Sequence, residues 1–332
     1  MRSVDVLMKN GQGGRVGDDA SERSEMRLVD MNNEALAVVV DPLEMEGQGR
    51  RWEALAERVH TWPGDPWAAM ELLEELLGRG TERLALVGGD RLFGEVTTAY
   101  LRSDRSGASG LRLWPLPTQE SLVGDEVGAV RPEKVRVDAM ASMKWRVQEV
   151  GTLKISASAA PAARYGFSFG TGWIYGTVAA MRRAREGTRQ ALSALGDLAT
   201  EGLGDAGGGA EARRAMLDEE VLDLDEGGAV VVSTLEKSYF GLGHRDVGPR
   251  AYTGLTRRAV MREAVTPNAL RYGQRQGRAF ERLVLDGLKR WVVDGQLDGY
   301  EEDGVVAVSV GPAVPMVVPR RSMKDKLGAF LT

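Results

Sequence analysis

The sequence predicts an α/β plus β chain of two domains: a Rossmann-like α/β layer over 34–129, then a β-sandwich over 130–319, with a cleft between them. Three observations predict it. Short apolar runs of strand length alternate with helical patterns through the first part of the chain, the arrangement of a parallel sheet covered on both faces. One of those runs ends in Gly88-Gly89 and passes directly into a helical pattern. From Val135 the apolar period switches to 2, as strands with one face in a core require. A length of 332 residues is long for one domain and natural for two, and 43% hydrophobic residues supply a sizeable core.

Taken in order, residues 1–33 are rich in Gly, Asp, Ser, Arg and Asn, show no sustained period and read as a mobile tail. Leu36 to Val40 is a buried strand ending in the Asp41-Pro42 turn, with Gly47 and Gly49 beyond it. Trp52, Leu55, Ala56 and Val59 fall at helical spacing. Trp62-Pro63-Gly64-Asp65-Pro66 is a turn, since either proline breaks a helix. A second helix over 67–77 carries Glu71, Glu74 and Glu75 on its outer face, and Gly78 and Gly80 suit its C-terminal cap.

Arg83 to Val96 organises the rest. Leu84-Ala85-Leu86-Val87 is a buried strand, Gly88-Gly89 a tight turn, and Asp90 onward a helix through Leu101. Such a turn aims backbone N–H groups at a phosphate, and it also occurs as plain structure with no ligand. Glu95 suits the positive end of the helix dipole. After a polar loop over 104–110, Leu111 to Thr118 is a third strand ending in a turn. A ligand belongs at the carboxyl ends of these strands, where Asp41, Gly88, Gly89, Asp90 and Thr118 all fall.

The second half predicts strands over 135–138, 153–157, 228–234, 290–296 and 305–310. Tyr165, Phe167, Phe169, Trp173 and Tyr175 form an aromatic, glycine-rich stretch that suits either a ligand-facing surface or core packing at a domain junction. A helix over 177–199 carries Arg182, Arg183, Arg185 and Arg189, which suits docking on anionic lipid or a plain solvated face. A glycine-rich insertion over 202–209 is followed by a return helix over 210–220, and 268–288 reads as mostly helix. The tail 320–332 opens with a basic stretch.

Composition narrows the chemistry. A net charge of −5 argues against a general nucleic-acid binder, which needs a basic face. With no cysteine there is no disulfide, thiolate metal site or thiol nucleophile. His60 and His244 are the only histidines, too few by themselves for a zinc site or a histidine triad. No apolar run reaches the roughly 18 residues of a membrane span, and no apolar signal core opens the chain, so a cytoplasmic location is expected.

The order Asp41-Pro42 with following glycines, then Gly88-Gly89-Asp90 with Glu95-Val96, then Pro115-Leu116 with Thr118, resembles the diacylglycerol kinase catalytic family. That family also holds the sphingosine and ceramide kinases and bacterial lipid kinases. The resemblance runs with gaps over 34–319, and Asp294-Gly295-Gln296 is similar to its Asp-Gly-Glu motif. Arg91 and Leu92 stand where the family has Gly-Thr, Gly94 where it has Asn, and Gln296 where it has Glu. Pro117, Gln119, Glu120 and Ser121 replace Gly, Gly, Asn and Asp, and Asp41 replaces Asn.

The resemblance implies an ATP-dependent lipid kinase acting on a diacylglycerol-like hydroxyl, with peripheral contact to the membrane. ATP is expected against Asp41, Gly88, Gly89, Asp90, Arg91, Glu95 and Thr118, with Asp90 reaching Mg2+. Asp294 is the expected base, and Asp298, which opens a second Asp-Gly pair, is its rival; either pair can also be a plain turn. Arg91 is open to two readings, a phosphate partner or a side chain that fills the site. The alternative function is a catalytically inactive relative that binds a ligand or partner.

Overall fold

The computed structural model describes residues 36–44, 59–103, 110–119, 121–132, 145–185, 212–222, 224, 229–235, 248–255 and 277–319. Four parallel strands build the first half: β1 (Leu36–Val40), β2 (Val59–Thr61), β3 (Arg83–Gly88) and β4 (Arg112–Pro117). Their spatial order is β2-β1-β3-β4. Strands β1, β3 and β4 are apolar on both faces, so alternate residues feed two cores. Ala37, Val39, Leu84, Leu86 and Leu113 face one; Leu36, Val38, Val40, Ala85, Val87, Trp114 and Leu116 face the other. The first core is closed by helices α1 (Pro66–Gly78) and α2 (Asp90–Arg102), through Leu73 and Leu76 of one and Phe93, Val96 and Tyr100 of the other. The second is closed partly by Trp145, which meets Trp114 edge-on with ring centroids 4.4 Å apart.

Helix α1 starts where the proline-rich turn ends. Asp65 caps it, accepting from the Trp67 and Ala68 amides at 3.0 and 2.9 Å, and Pro66 sits at the first position, where no N–H is needed. Helix α2 starts on Gly89 with no side-chain cap. A short helix α3 (Leu122–Val127) follows β4, and Gly128 ends it with φ +67°.

The second half is antiparallel. It comprises β5 (Trp145–Ala157), β6 (Arg164–Gly166), β7 (Ser168–Gly170), helix α4 (Trp173–Arg185), and the short strands β8 (Arg214–Leu217) and β9 (Glu220–Leu222). Then come β10 (Ala229–Ser233), β11 (Arg250–Leu255), β12 (Arg278–Ala279), β13 (Arg282–Val293) and β14 (Gln296–Pro319). Leu153, Ile155, Phe169, Val230, Val232, Leu283, Leu285, Val306 and Val308 fill a core of their own. Strand β14 joins the halves: it pairs antiparallel with β13 and β5, and at Met316 it runs parallel to β4 opposite Leu113. The expected α/β plus β-sandwich architecture is what the chain forms.

Several expected elements differ. Arg282 to Leu288 is strand, not helix, and continues into the strand expected from Arg290: Leu283 and Leu285 are buried on one face, while Leu288 resumes it after a register shift. Residues 214–222 are a hairpin rather than a return helix. Asp218 and Glu219 take φ +48° and +74°, the left-handed pair that a two-residue hairpin turn requires. Val59 opens strand β2, three residues long, instead of ending a helix. Phe167, Phe169 and Trp173 are buried, which is the core-packing reading of the aromatic stretch. The expected tails, the glycines at 47 and 49, the helix over 51–58, the strand at 135–138, and the insertion over 202–209 lie outside the described residues.

Candidate active site

Strands β1, β3 and β4 end side by side. The Asp41 amide donates to Val87 O at 2.9 Å and the Thr118 amide to Gly88 O at 3.1 Å, so the residues after each strand are tied together. This brings Asp41, Gly88, Gly89, Asp90 and Thr118 to one strand-end edge. The Thr118 hydroxyl donates to Glu44 at 3.0 Å. A Cβ on Gly88 would lie 2.9 Å from Leu92 Cδ2 and 3.0 Å from Asp41 Cβ, so a side chain there would have to displace one of them. At Gly89 a Cβ would meet the Gln119 amide nitrogen at 2.5 Å.

Asp90 turns toward helix α3. It accepts from the Ser121 hydroxyl, from Leu122 N at 2.8 Å and from Val123 N at 3.2 Å, so its two oxygens cap that helix. Burial pushes its pKa up, while these three donors hold it down. Asp90 therefore commits both oxygens to a backbone that begins 32 residues later. Among the described residues no group of three or more His, Cys, Asp and Glu side chains converges to hold a metal ion.

Arg91 bridges the turn. Its Nη2 donates to both Asp41 oxygens at 2.7 and 2.6 Å, and its Nη1 to both Glu95 oxygens at 3.2 and 3.3 Å. Glu95 also accepts from the Trp62 indole at 3.1 Å and from the Gln296 amide. The other end of that amide accepts from Arg164, whose second nitrogen donates to Asp298 at 2.8 Å. Gln296 thus needs to be an amide: it offers a donor to a carboxylate and an acceptor to a guanidinium, and a glutamate would set two carboxylates against each other. The sequence marked this position only as a departure from a motif.

Asp294 and Gly295 form the two-residue turn between β13 and β14, with φ +49° and +74°. Asp-Gly is a favoured pair for such a turn. The Asp294 side chain nevertheless points inward and is 5% exposed. Its Oδ1 accepts from Phe167 N and Ser168 N, both at 2.9 Å, and from the Ser168 hydroxyl at 3.1 Å; Oδ2 takes only a 3.2 Å bond from Phe167 N. Oδ2 lies between two glycines, since a Cβ on Gly94 or Gly166 would come within 2.5 or 2.6 Å of it. Burial pushes the Asp294 pKa up to about 7, the backbone donors oppose this, and the Asp90 charge adds to it. Asp298, the rival, is paired with Arg164 and lines an open cleft.

That cleft, about 920 Å³, lies between α1, α2, β5 and the β13–β14 hairpin. Its walls are mostly apolar, with Trp62, Trp67, Met70, Ala99, Ile155 and Trp291 prominent, and Glu95, Arg164, Gln296 and Asp298 form a polar end. Of the expected site residues only Glu95 and Asp298 line it. Helix α2 is stitched to the far wall: the Thr98 hydroxyl donates to Tyr165 O at 2.7 Å and accepts from Tyr165 N at 3.0 Å, and Arg102 donates to the Ala163 carbonyl at 2.7 Å. Trp62, Arg164, Thr98 and Arg102 carried no motif signal, because they become neighbours only in the folded chain.

No family model matches the chain, and no curated protein matches it. Solved structures do. A diacylglycerol kinase from Bacillus anthracis str. Sterne superposes with a TM-score of 0.55 at 12% identity, covering 86% of this chain and 97% of that one. A second structure, of a protein assigned as a diacylglycerol kinase in the same organism, gives a TM-score of 0.55 at 11% identity with the same coverage. At this identity the likeness speaks to architecture, and it spans nearly the whole of both relatives: the chain has the two-domain fold of the diacylglycerol kinases.

Proposed function

We propose that this protein is an ATP-dependent lipid kinase, transferring the γ-phosphoryl group of ATP to the hydroxyl of a diacylglycerol-like lipid. The observation that carries the reading is the packing of Asp294 against Gly94, one turn into the helix that leaves the glycine turn. In this reading Asp294 sits beside α2, one helical turn from the proposed phosphate site. In the proposed step the lipid oxygen attacks the γ-phosphorus, the bond to the bridging oxygen breaks, ADP leaves, and the hydroxyl proton passes to Asp294. A carboxylate pushed up to about 7 is matched to that task near neutral pH. Gly88 and Gly89 supply the backbone turn for the phosphates, with Asp41 and Thr118 beside it. The apolar cleft next to Glu95 supports a lipid acceptor.

Magnesium accompanies ATP in such reactions, but Asp90 is engaged in capping α3, and the described residues gather no ligand set for a metal. Among the described residues no helix is long and apolar enough to cross a membrane, so access to lipid would be from the surface.

The test is phosphoryl transfer from radiolabelled ATP to diacylglycerol in mixed micelles. Asp294→Asn should cost about 100- to 10,000-fold in turnover, with ATP binding retained, and Asp298→Asn should cost little. A large loss at Asp298 with none at Asp294 would move the base to the second Asp-Gly pair. A second reading, a catalytically inactive ligand-binding protein, is favoured by Arg91 bridging Asp41 and Glu95 at the turn. Lipid- or ATP-dependent thermal stabilisation without any transfer would select it.

A further inference from the structure

Arg91 occupies the second position of helix α2, where aligned backbone dipoles leave partial positive charge. A cation is unfavourable there unless anions hold it. Two do: Asp41 from the end of β1 and Glu95 from the next turn of α2. The Asp41 contact engages both carboxylate oxygens at 2.7 and 2.6 Å, with that carboxylate only 7% exposed. Glu95 is fixed in turn by the Trp62 indole and the Gln296 amide, so it is anchored on both sides of the domain junction. Two carboxylates face one guanidinium, and the group as a whole is negative. It offers an arriving phosphate no free positive charge.

We propose that Arg91 is a built-in occupant of the phosphate position: its guanidinium ties β1 to α2 across the glycine turn, and nucleotide phosphates enter only when that tie opens. The inference rests on the nucleotide reading of the turn. It makes Arg91 a gate on phosphate affinity, not a phosphate ligand. Charge-assisted pairs of this kind are among the strong ones, and breaking one leaves a mostly buried Asp41 carboxylate without its cation. The entering ligand must offset that.

The test uses the full-length chain and a substitution that opens the tie without altering net charge. Arg91→Ala combined with Asp41→Asn removes one cation and one anion together. ATP and adenosine affinities are measured by calorimetry on wild type and on the double variant. The expected result is ATP binding tighter by about tenfold or more, the scale of the charge-assisted bonds no longer broken. Adenosine, which carries no phosphate, should bind both proteins alike. Arg91→Lys serves as a second variant, since it keeps the charge and loses the bidentate fork; it should give a smaller gain in the same direction. Asp41→Asn alone also opens the tie to β1 and should tighten ATP in the same direction. ATP binding that is unchanged or weaker in the double variant, with ATP still bound by wild type, overturns the gate and makes Arg91 a ligand or a bystander. ATP bound by none of these proteins removes the nucleotide reading itself, and the gate with it.

Discussion

Replacing Gly94 with alanine sets two effects of similar size against each other. In a helix interior the change from glycine gains about 1 kcal/mol, because alanine loses less backbone entropy on folding. Against this, the new Cβ would lie 2.5 Å from Asp294 Oδ2 and 3.3 Å from its Cγ. Reaching ordinary separation needs a shift of about 1 Å. Asp294 is poorly placed to give way. It is short, sits in a turn with φ +49°, and is held by Phe167 N and Ser168 N at 2.9 Å and by the Ser168 hydroxyl at 3.1 Å. Overpacking of this kind costs about 1–3 kcal/mol, so the net effect on stability is a loss of about 0–2 kcal/mol. Activity should respond more steeply, since a misplacement of about 1 Å in a reacting group costs on the order of 100-fold. Urea unfolding followed by tryptophan fluorescence gives the first number, and phosphoryl transfer to diacylglycerol gives the second. A Gly94→Ala protein stabilised by about 1 kcal/mol with full turnover would refute the reasoning, because the Asp294 carboxylate would then not be resting on the helix.

Two further outcomes follow from the same geometry. The Asp294 pKa rises from 3.8 unfolded to about 7 folded, so its contribution to stability is fully present below pH 4 and is lost as pH rises toward 7. The unfolded chain gives up its proton first, and stability falls across that window by up to about 1.4 kcal/mol per pH unit, then levels off. Asp294→Asn should flatten the difference between pH 4 and 7, and matched slopes for the two proteins in urea titrations would exclude it. Asp90→Ala should lower stability by about 1–3 kcal/mol, because the Leu122 and Val123 amides lose their acceptor. An unchanged urea midpoint would mean that water satisfies the α3 start equally well.

The parallel half of the fold was written into local sequence. Runs such as 36–40 and 84–87 are apolar at every position, and a strand buried on both faces is the element that uses such a run. Asp294-Gly295 was legible as a turn and proved to be one, with positive φ at both positions, whereas Gly88-Gly89 runs from the end of β3 into α2 in extended backbone, its glycines set among the close side chains of Leu92, Asp41 and Gln119. Residues 282–288 were less legible. Leu283, Leu285 and Leu288 fit a helical face almost as well as an interrupted strand, and only pairing with β8 and β14 decides between them.

The site divides the same way. Sequence alone determined that Asp41, Gly88, Gly89, Asp90 and Thr118 would share one edge, because each follows or ends a strand of the same parallel sheet. It did not determine what their side chains do. Asp90 finds its partners 31 to 33 residues away, Arg91 pairs with a carboxylate 50 residues away, and Gln296 reaches a carboxylate 201 residues away. A side-chain hydrogen bond depends on distance and angle within a few tenths of an ångström. Periodicity fixes which element a residue joins, while contacts of that precision are set only when separate elements pack, so tertiary structure alone decided that Asp90 caps a helix and Arg91 spans the turn.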